Sequence, residues 1–451
     1  MPEPREAAAP ERTLASFVAD LTFEDVPTGA VNTIERAFVD TVGVTLAGAV
    51  EGAGDRANRV VRATSAGSDG VSLLGVEGSA SVAEAAFANG TAGHALDYDD
   101  LSWAMDGHPS VTLVAPALAV GEHVGASGPA LVTAFAAGFE AECYLAEPIS
   151  PTHYEQGWHP TATFGVFGAA AAAASLLDLD AEATERALNV AASTPAGLKR
   201  NFGSMTKPVH AGLAGRSGVT AALLAAEGVT AGDAVVSGER GFWDRYADGD
   251  EREADPPGAP WRLVETGISV KKYPCCYFAH TSLAVAADLV ERNGVDPEAV
   301  DRVEATVSRG AGDALVYPDP ATGLEAKFSM EYALACGVAR DRVGLAAFED
   351  EALSDSEVER VRERAGFDVD ESLPYKSNHT RVRIVAGEET YEGTMERPPG
   401  TPENPMSERA LREKFVDCAT RAVPEPTAAT AFDRFRSLRE QDGVRDLLGS
   451  L

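Results

Sequence analysis

Residues Phe164 to Leu177 carry no charge and contain an unbroken alanine run, Ala169 to Ala174, preceded by Gly165 and Gly168. Alanine is the strongest helix former, so the stretch predicts a helix with nearly flat sides. Flat sides let neighbouring helices approach closely, which places such a helix inside a bundle. A membrane span needs about 20 apolar helical residues, and this run is too short. The chain is thereby committed to a tightly packed helical core.

Other segments agree. Val31, Ile34, Phe38 and Val42 recur at helical spacing, and 79–93, 110–124, 127–147, 161–177, 180–193 and 211–227 read as helices broken by Gly, Pro and Ser. Residues 1–268 thus read as nearly all helix. Beyond the loop Asp255-Pro-Pro-Gly-Ala-Pro260 the texture changes. Val303–Ser308 and Thr380–Val385 alternate as strands do, Glu389–Met395 reads as a hairpin partner across Gly387, and helices are expected near 329–340 and 355–364. Pro398-Pro-Gly-Thr-Pro402 marks a second boundary, with Ser407 capping a helix that runs to about Ala422. The expected fold is mostly α: a large helical domain over 1–268 and 404–451, and a smaller inserted α+β domain over 269–403. No glycines follow a strand at phosphate-cradling spacing, so no nucleotide is implied.

With 38 basic and 70 acidic residues the net charge is −32. The acids are spread along the chain, which suits a solvated surface in a high-salt cytoplasm, where the Debye length shrinks to about 3 Å at 1 M salt. Nucleic acid and anionic membrane are poor partners for it. The five cysteines show no metal-ligand spacing, and the polar start Met1-Pro-Glu-Pro-Arg-Glu6 lacks a signal-peptide apolar region. A soluble, cytoplasmic protein is expected. Most positive charge is arginine, so the few lysines in Gly/Pro-marked motifs, Lys207 and the pair Lys271–Lys272, read as chosen ammonium groups rather than leftover surface.

Titratable residues gather beside turn formers in Gly93-His-Ala-Leu-Asp-Tyr-Asp-Asp100, His108-Pro-Ser110, Gly157-Trp-His-Pro160, Thr206-Lys-Pro-Val-His-Ala-Gly212 and Lys271-Lys-Tyr-Pro-Cys-Cys-Tyr-Phe-Ala-His280. The Asp97–Asp100 cluster has three readings. With His94 and His108 it could hold a divalent metal. It could be the proton donor of an all-helical cyclase, which needs more aromatic lining than a 7% aromatic content offers. Or one aspartate joins an active site while the others hold amides or a histidine, the reading adopted, with Asp99 and Asp100 as caps of the following segment.

A lone histidine is most often a structural one. His108 and His159, however, precede prolines, which move them off helices and onto loops. His159 also leads into the alanine helix, whose N-terminal dipole would lower its pKa and attract an anion. His94 and His210 fit helix starts; His123, His153 and His379 read as structural. Lys207 sits in a turn before a helix expected to begin near Ala211, placed to bind a carboxylate. Lys271 and Lys272 lie at the expected domain junction, a common place for a small ligand. Cys275 and Cys276 could offer a nucleophile or fill a core.

Taken in order, these motifs resemble the MmgE/PrpD family of 2-methylcitrate dehydratases, cis-aconitate decarboxylases and an iminodisuccinate epimerase, over nearly the whole chain. The resemblance implies a helical domain, a smaller α+β lid, a homodimer, and chemistry with neither metal nor iron–sulfur cluster. It also implies a pocket built from Asp97, His108, His159, Lys207 and Lys271, with a lid tyrosine that most resembles Tyr332. Two positions depart from the decarboxylase members: a further active-site histidine falls at Cys276, and the threonine after Asp-x-Asp-Asp is Leu101. The expected activity is a cofactor-independent hydro-lyase of the 2-methylcitrate dehydratase type. Lys207, Lys271, Lys272 and Arg200 would bind carboxylates of a small polycarboxylate, His159 and His108 would exchange protons, and Asp97 would orient one of them. An epimerase, a decarboxylase or a non-catalytic carboxylate-binding homologue are the alternatives.

Overall fold

The computed structural model describes residues 9–65, 70–247, 253–449 and 451; the polar start Met1–Glu6 lies outside them. The chain forms two compact units. One holds the residues up to Ala95 together with Asp99–Ile268 and Arg409–Leu451; the other holds Leu96–Tyr98 and Ser269–Glu408. The fold is mostly α, with a small α+β part.

Six long helices carry the core of the first unit: α1 (Thr28–Ala49), α2 (Val82–His94), α3 (Pro109–Val124), α4 (Gly128–Ala146), α5 (Gly165–Leu176) and α6 (Thr206–Ala226). The alanine run is the middle of α5, and Ala169 to Ala174 are all fully buried. Glycines set how closely its neighbours come. A Cβ on Gly168 would lie 2.4 Å from the Glu142 side chain of α4, and one on Gly218 of α6 would lie 2.5 Å from Ala169. The α2–α6 contact is as tight: a Cβ on Gly212 would meet the Thr91 hydroxyl at 2.1 Å and the Phe87 carbonyl at 2.4 Å. No helix among the described residues is long and apolar enough to cross a membrane.

Two details of this unit differ from the sequence reading. The segment 79–93 is not helical throughout: Ser79–Ala80 (β2) pairs antiparallel with Val71–Ser72 (β1), and α2 begins only at Val82. The helix expected near Ala211 begins at Thr206, because Pro208 falls in its first turn, where a missing N–H breaks no helical bond.

The second unit is built on a four-stranded sheet in the order β4-β3-β5-β6, from β3 (Val300–Val307), β4 (Ala365–Val369), β5 (Thr380–Ala386) and β6 (Glu389–Met395). The hairpin β5–β6 turns at Gly387, whose φ of 59° suits glycine. Thr380, Val382 and Ile384 alternate into the core. Helices α7 (His280–Asn293), α8 (Met330–Ala339) and α9 (Ser356–Arg362) complete the unit. Strand β4, parallel to β3, carries no alternating apolar pattern and was not legible.

Candidate active site

The first unit brings four imidazoles and an ammonium into one group, all of it buried except the half-buried His108. His94 is the last residue of α2, not the start of a helix as expected, and its Nδ1 lies 2.8 and 3.0 Å from the two Asp99 carboxylate oxygens. His108 precedes Pro109 at the start of α3, in extended conformation. Its Nδ1 lies 2.8 Å from the Asp100 carbonyl and 3.3 Å from the Asp99 carboxylate. The rings of His94 and His108 are 4.6 Å apart, and those of His94 and His159 are 5.8 Å apart and nearly parallel.

His159 is held from the backbone outward. Its N–H donates to Gly197 at 3.1 Å, and Lys199 N–H donates to Gly157 at 2.9 Å, pinning two loops together. Buried His153 adds support: its Nε2 is 2.7 Å from the Thr163 hydroxyl, which in turn reaches the His159 carbonyl. The short turn Pro160–Thr163 follows, and α5 begins after it. His159 Nδ1 meets His210 Nδ1 at 3.1 Å, and the edge of Phe202 closes on the ring at 5.0 Å. Lys207 is buried on the first turn of α6, with its ammonium 5.0 Å from the Phe202 ring.

These contacts assign the protons. An ionised carboxylate and a carbonyl only accept, so Nδ1 of His94 and of His108 each carries hydrogen. Asp99 is ionised: burial pushes its pKa up, but His94 and His108 reverse this and hold it well below the usual carboxylate range. Burial, with help from the Lys207 charge, pulls His94 down to about 4 against the opposing pull of Asp99. Burial, then Lys207, then the neighbouring imidazoles hold His159 well below its ordinary value. The sequence reading credited a helix dipole; burial is the larger cause. Neither His94 Nε2 nor His159 Nε2 has a hydrogen-bond partner among the described residues. His94, Asp99 and His108 also offer donor atoms within 4.8 Å of one another, as a metal would need. His108 Nδ1 gives its hydrogen to the Asp100 carbonyl, which leaves Nε2 as the atom this ring could offer.

Behind the imidazoles lies a row of buried acids. Asp100 accepts from Ser110 N–H at 3.3 Å, capping α3 as expected, and burial beside Asp40 raises its pKa well above the usual range. Glu142 is likewise raised by burial, although the Thr112 hydroxyl donates to it at 2.6 Å. Asp40 is raised by burial even though Lys414 pairs with it at 2.5 Å.

The second unit holds the other expected residues. Lys271 is fully buried and pairs with the Asp97 carboxylate at 3.1 Å while donating to the Asp97 carbonyl at 2.8 Å. The carboxylate bonded to His94 and His108 is that of Asp99, while Asp97, in a left-handed backbone with φ 51°, pairs with Lys271. Lys272 is exposed and Cys276 half-buried. Tyr332 is buried in α8 with its hydroxyl donating to Ala347 at 2.6 Å. Arg200 of the first unit is exposed on a 3-10 turn, unlike the buried imidazoles.

The MmgE/PrpD N-terminal domain matches residues 12–255, and the MmgE/PrpD C-terminal domain matches residues 273–437. The chain belongs to the MmgE/PrpD family. Among curated members, human cis-aconitate decarboxylase is 30% identical over 267 residues, 57% of this chain and 55% of that protein. The mouse cis-aconitate decarboxylase is 26% identical, covering 76% of this chain and 73% of its own. A cis-aconitate decarboxylase-like protein of Aspergillus oryzae is 25% identical over 96% of this chain and 95% of its own.

Within this MmgE/PrpD chain, two residues at the core of the geometry escaped the sequence reading. Asp99 reads as a cap in the sequence because three aspartates in four positions cannot be ranked by spacing alone. His153 was read as structural, which it is, but its bond to Thr163 gives it a hand in holding His159. Its only sequence signal is its place two residues after Pro151, in a turn.

Proposed function

We propose that the chain is a lyase acting on a small di- or tricarboxylate, and that its reaction is a dehydration of the 2-methylcitrate type. The observation that carries this is the contrast between His159 and His108. Among the described residues, His159 sits beside Lys207 and His210 with no carboxylate on its ring, and its buried Nε2 has no hydrogen-bond partner. That environment suits a neutral base at pH 7. His108 shares Asp99, a counter-charge that tolerates a protonated ring. Two like groups with opposed surroundings divide into base and acid.

In the proposed reaction, His159 Nε2 takes the proton from the carbon beside a substrate carboxylate. Lys207 neutralises that carboxylate, so the negative charge that develops on it is stabilised mainly in the transition state. The C–O bond to the neighbouring carbon breaks, the electron pair of the former C–H bond forms the alkene, and protonated His108 delivers its proton to the departing hydroxyl as water. The reading gives each proton a place on the chain's own side chains.

The relatives' names favour a second reading, decarboxylation of cis-aconitate. In it the electron pair released with CO2 would be protonated by the same imidazoles. Leu101 and Cys276, where decarboxylase members carry threonine and histidine, weigh against it.

The deciding experiment incubates the protein at high salt with 2-methylcitrate, citrate, cis-aconitate and iminodisuccinate in deuterated water. Dehydration yields an alkene absorbing in the ultraviolet, decarboxylation yields CO2, and epimerisation yields solvent deuterium at carbon without either. The proposal is abandoned if no alkene forms from any hydroxy acid. Sedimentation on the same sample tests the homodimer that belongs to this reading.

A further inference from the structure

Chain connectivity joins the histidine group to the second unit by three residues. His94 and Asp99 are hydrogen-bonded in the first unit, while Leu96, Asp97 and Tyr98 between them pack within the second. The His94–Asp99 bond therefore closes a small ring whose far side is this segment. Its geometry fixes how His94 and Asp99 face each other.

Within the second unit the segment is held at three points. The Lys327 ammonium donates to the Leu96 carbonyl. The Lys271 ammonium donates to the next carbonyl, Asp97, and pairs with its carboxylate. The Tyr98 hydroxyl donates to the Lys272 carbonyl at 3.0 Å. Asp97 sits in the left-handed region, φ 51°, which aspartate tolerates better than most side-chain-bearing residues but which still costs energy that its surroundings must offset. Lys327 is itself fixed, because its carbonyl accepts from Cys276 N–H at 2.8 Å. A buried ammonium is costly unless its charge is answered, and the chain has only seven lysines, yet two of them are buried on successive carbonyls of this segment.

We propose that Lys327 is a positioning residue: by holding the Leu96 carbonyl it keeps Asp97 left-handed and so sets the His94–Asp99 hydrogen bond. No sequence signal marked it, since Ala326-Lys327-Phe328-Ser329 has neither Gly nor Pro. The relevance to catalysis rests on the dehydratase reading above; the positioning itself does not.

The test is the His94 Nδ1 proton, observed by NMR in histidine-labelled protein and assigned by its loss in His94→Asn. In Lys327→Met it should exchange with solvent at least about tenfold faster, the effect of losing one hydrogen bond to a charged group. The His153 ring proton, far along the chain, should exchange as before. An unchanged His94 proton overturns the proposal, and so does equal acceleration of both, which would mean general loosening. If Lys327→Met does not fold, Tyr98→Phe removes a milder tie on the same segment and decides by the same two protons. These readings need no substrate, so a wrong guess at the reaction leaves them standing. With a working substrate, Lys327→Met should lower kcat about tenfold with little change in KM, and Lys327→Arg should restore part of it.

Discussion

His159 and His210 meet Nδ1 to Nδ1 at 3.1 Å, so a single hydrogen serves both nitrogens. If His159 donates, its Nε2 holds a lone pair aimed away from His210; if both rings were protonated, two N–H groups would collide. The contact therefore fixes the His159 tautomer and leaves its Nε2 as the atom that takes a proton, while burial and Lys207 keep the ring neutral beforehand. His210→Ala removes this constraint. We expect kcat to fall about tenfold, the net value of roughly one hydrogen bond, measured in steady state with the substrate found above. An unchanged kcat would show that the contact is incidental.

Asp99 and Asp97 should separate cleanly by mutation. Asp99→Asn puts an amide, which carries its own hydrogens, against two Nδ1–H donors. Turnover should fall by about 10²–10⁴-fold, as when an acid–base group is disabled. Asp97→Asn keeps the Lys271 bond to the backbone carbonyl and a side chain that tolerates the left-handed region, so the His94–Asp99 bond should persist and turnover should fall less. Equal losses of kcat in the two variants would refute the assignment of histidine orientation to Asp99.

Lys207 lowers the pKa of His159, His94 and His210 by its charge, after burial in each case. Removing the charge in Lys207→Met must raise them. The acid limb of the kcat profile should move to higher pH, and Lys207→Arg should leave it in place. A limb that stays put in both variants would take Lys207 out of the field acting on the base.

Stability should fall on acidification through buried histidines. Burial lowers His153 to about 4 from its ordinary 6.5. The unfolded chain then binds the proton that the folded one refuses, so this contribution is whole above about pH 6.5 and is lost as pH falls toward 4. Between pH 7.5 and 5 it amounts to about 2 kcal/mol. His153→Gln should flatten the difference between urea melts at those two pH values. The same slope in both proteins would mean that His153 is protonated in the fold.

What could be read in advance follows from which signals are local. The strands Val300–Val307 and Thr380–Ala386 alternate because one face is buried, and the alternation is written in consecutive residues. Strand β4 has no such face and leaves no trace. His108 and His159 were legible because Pro109 and Pro160 fix the backbone next to them. Lys207 was placed in the right motif but on the wrong side of a helix start, since a proline in the first turn looks the same as one that ends a loop. Asp99 and Lys327 act through partners distant in conformation or in sequence: one depends on the turn at Asp97, the other reaches back across 231 positions. Neither dependence has a periodic signature.

Gly212 and Gly90 let α2 and α6 lie backbone against backbone, and the ends of those helices carry His94 and Lys207. The missing side chains thus serve as a gauge block: they fix the depth at which one helix seats on the other, and with it the strength of the electric field at the rings. A single added methyl at position 212 touches no ionisable group, yet it would retune the chemistry by prising the two rods apart.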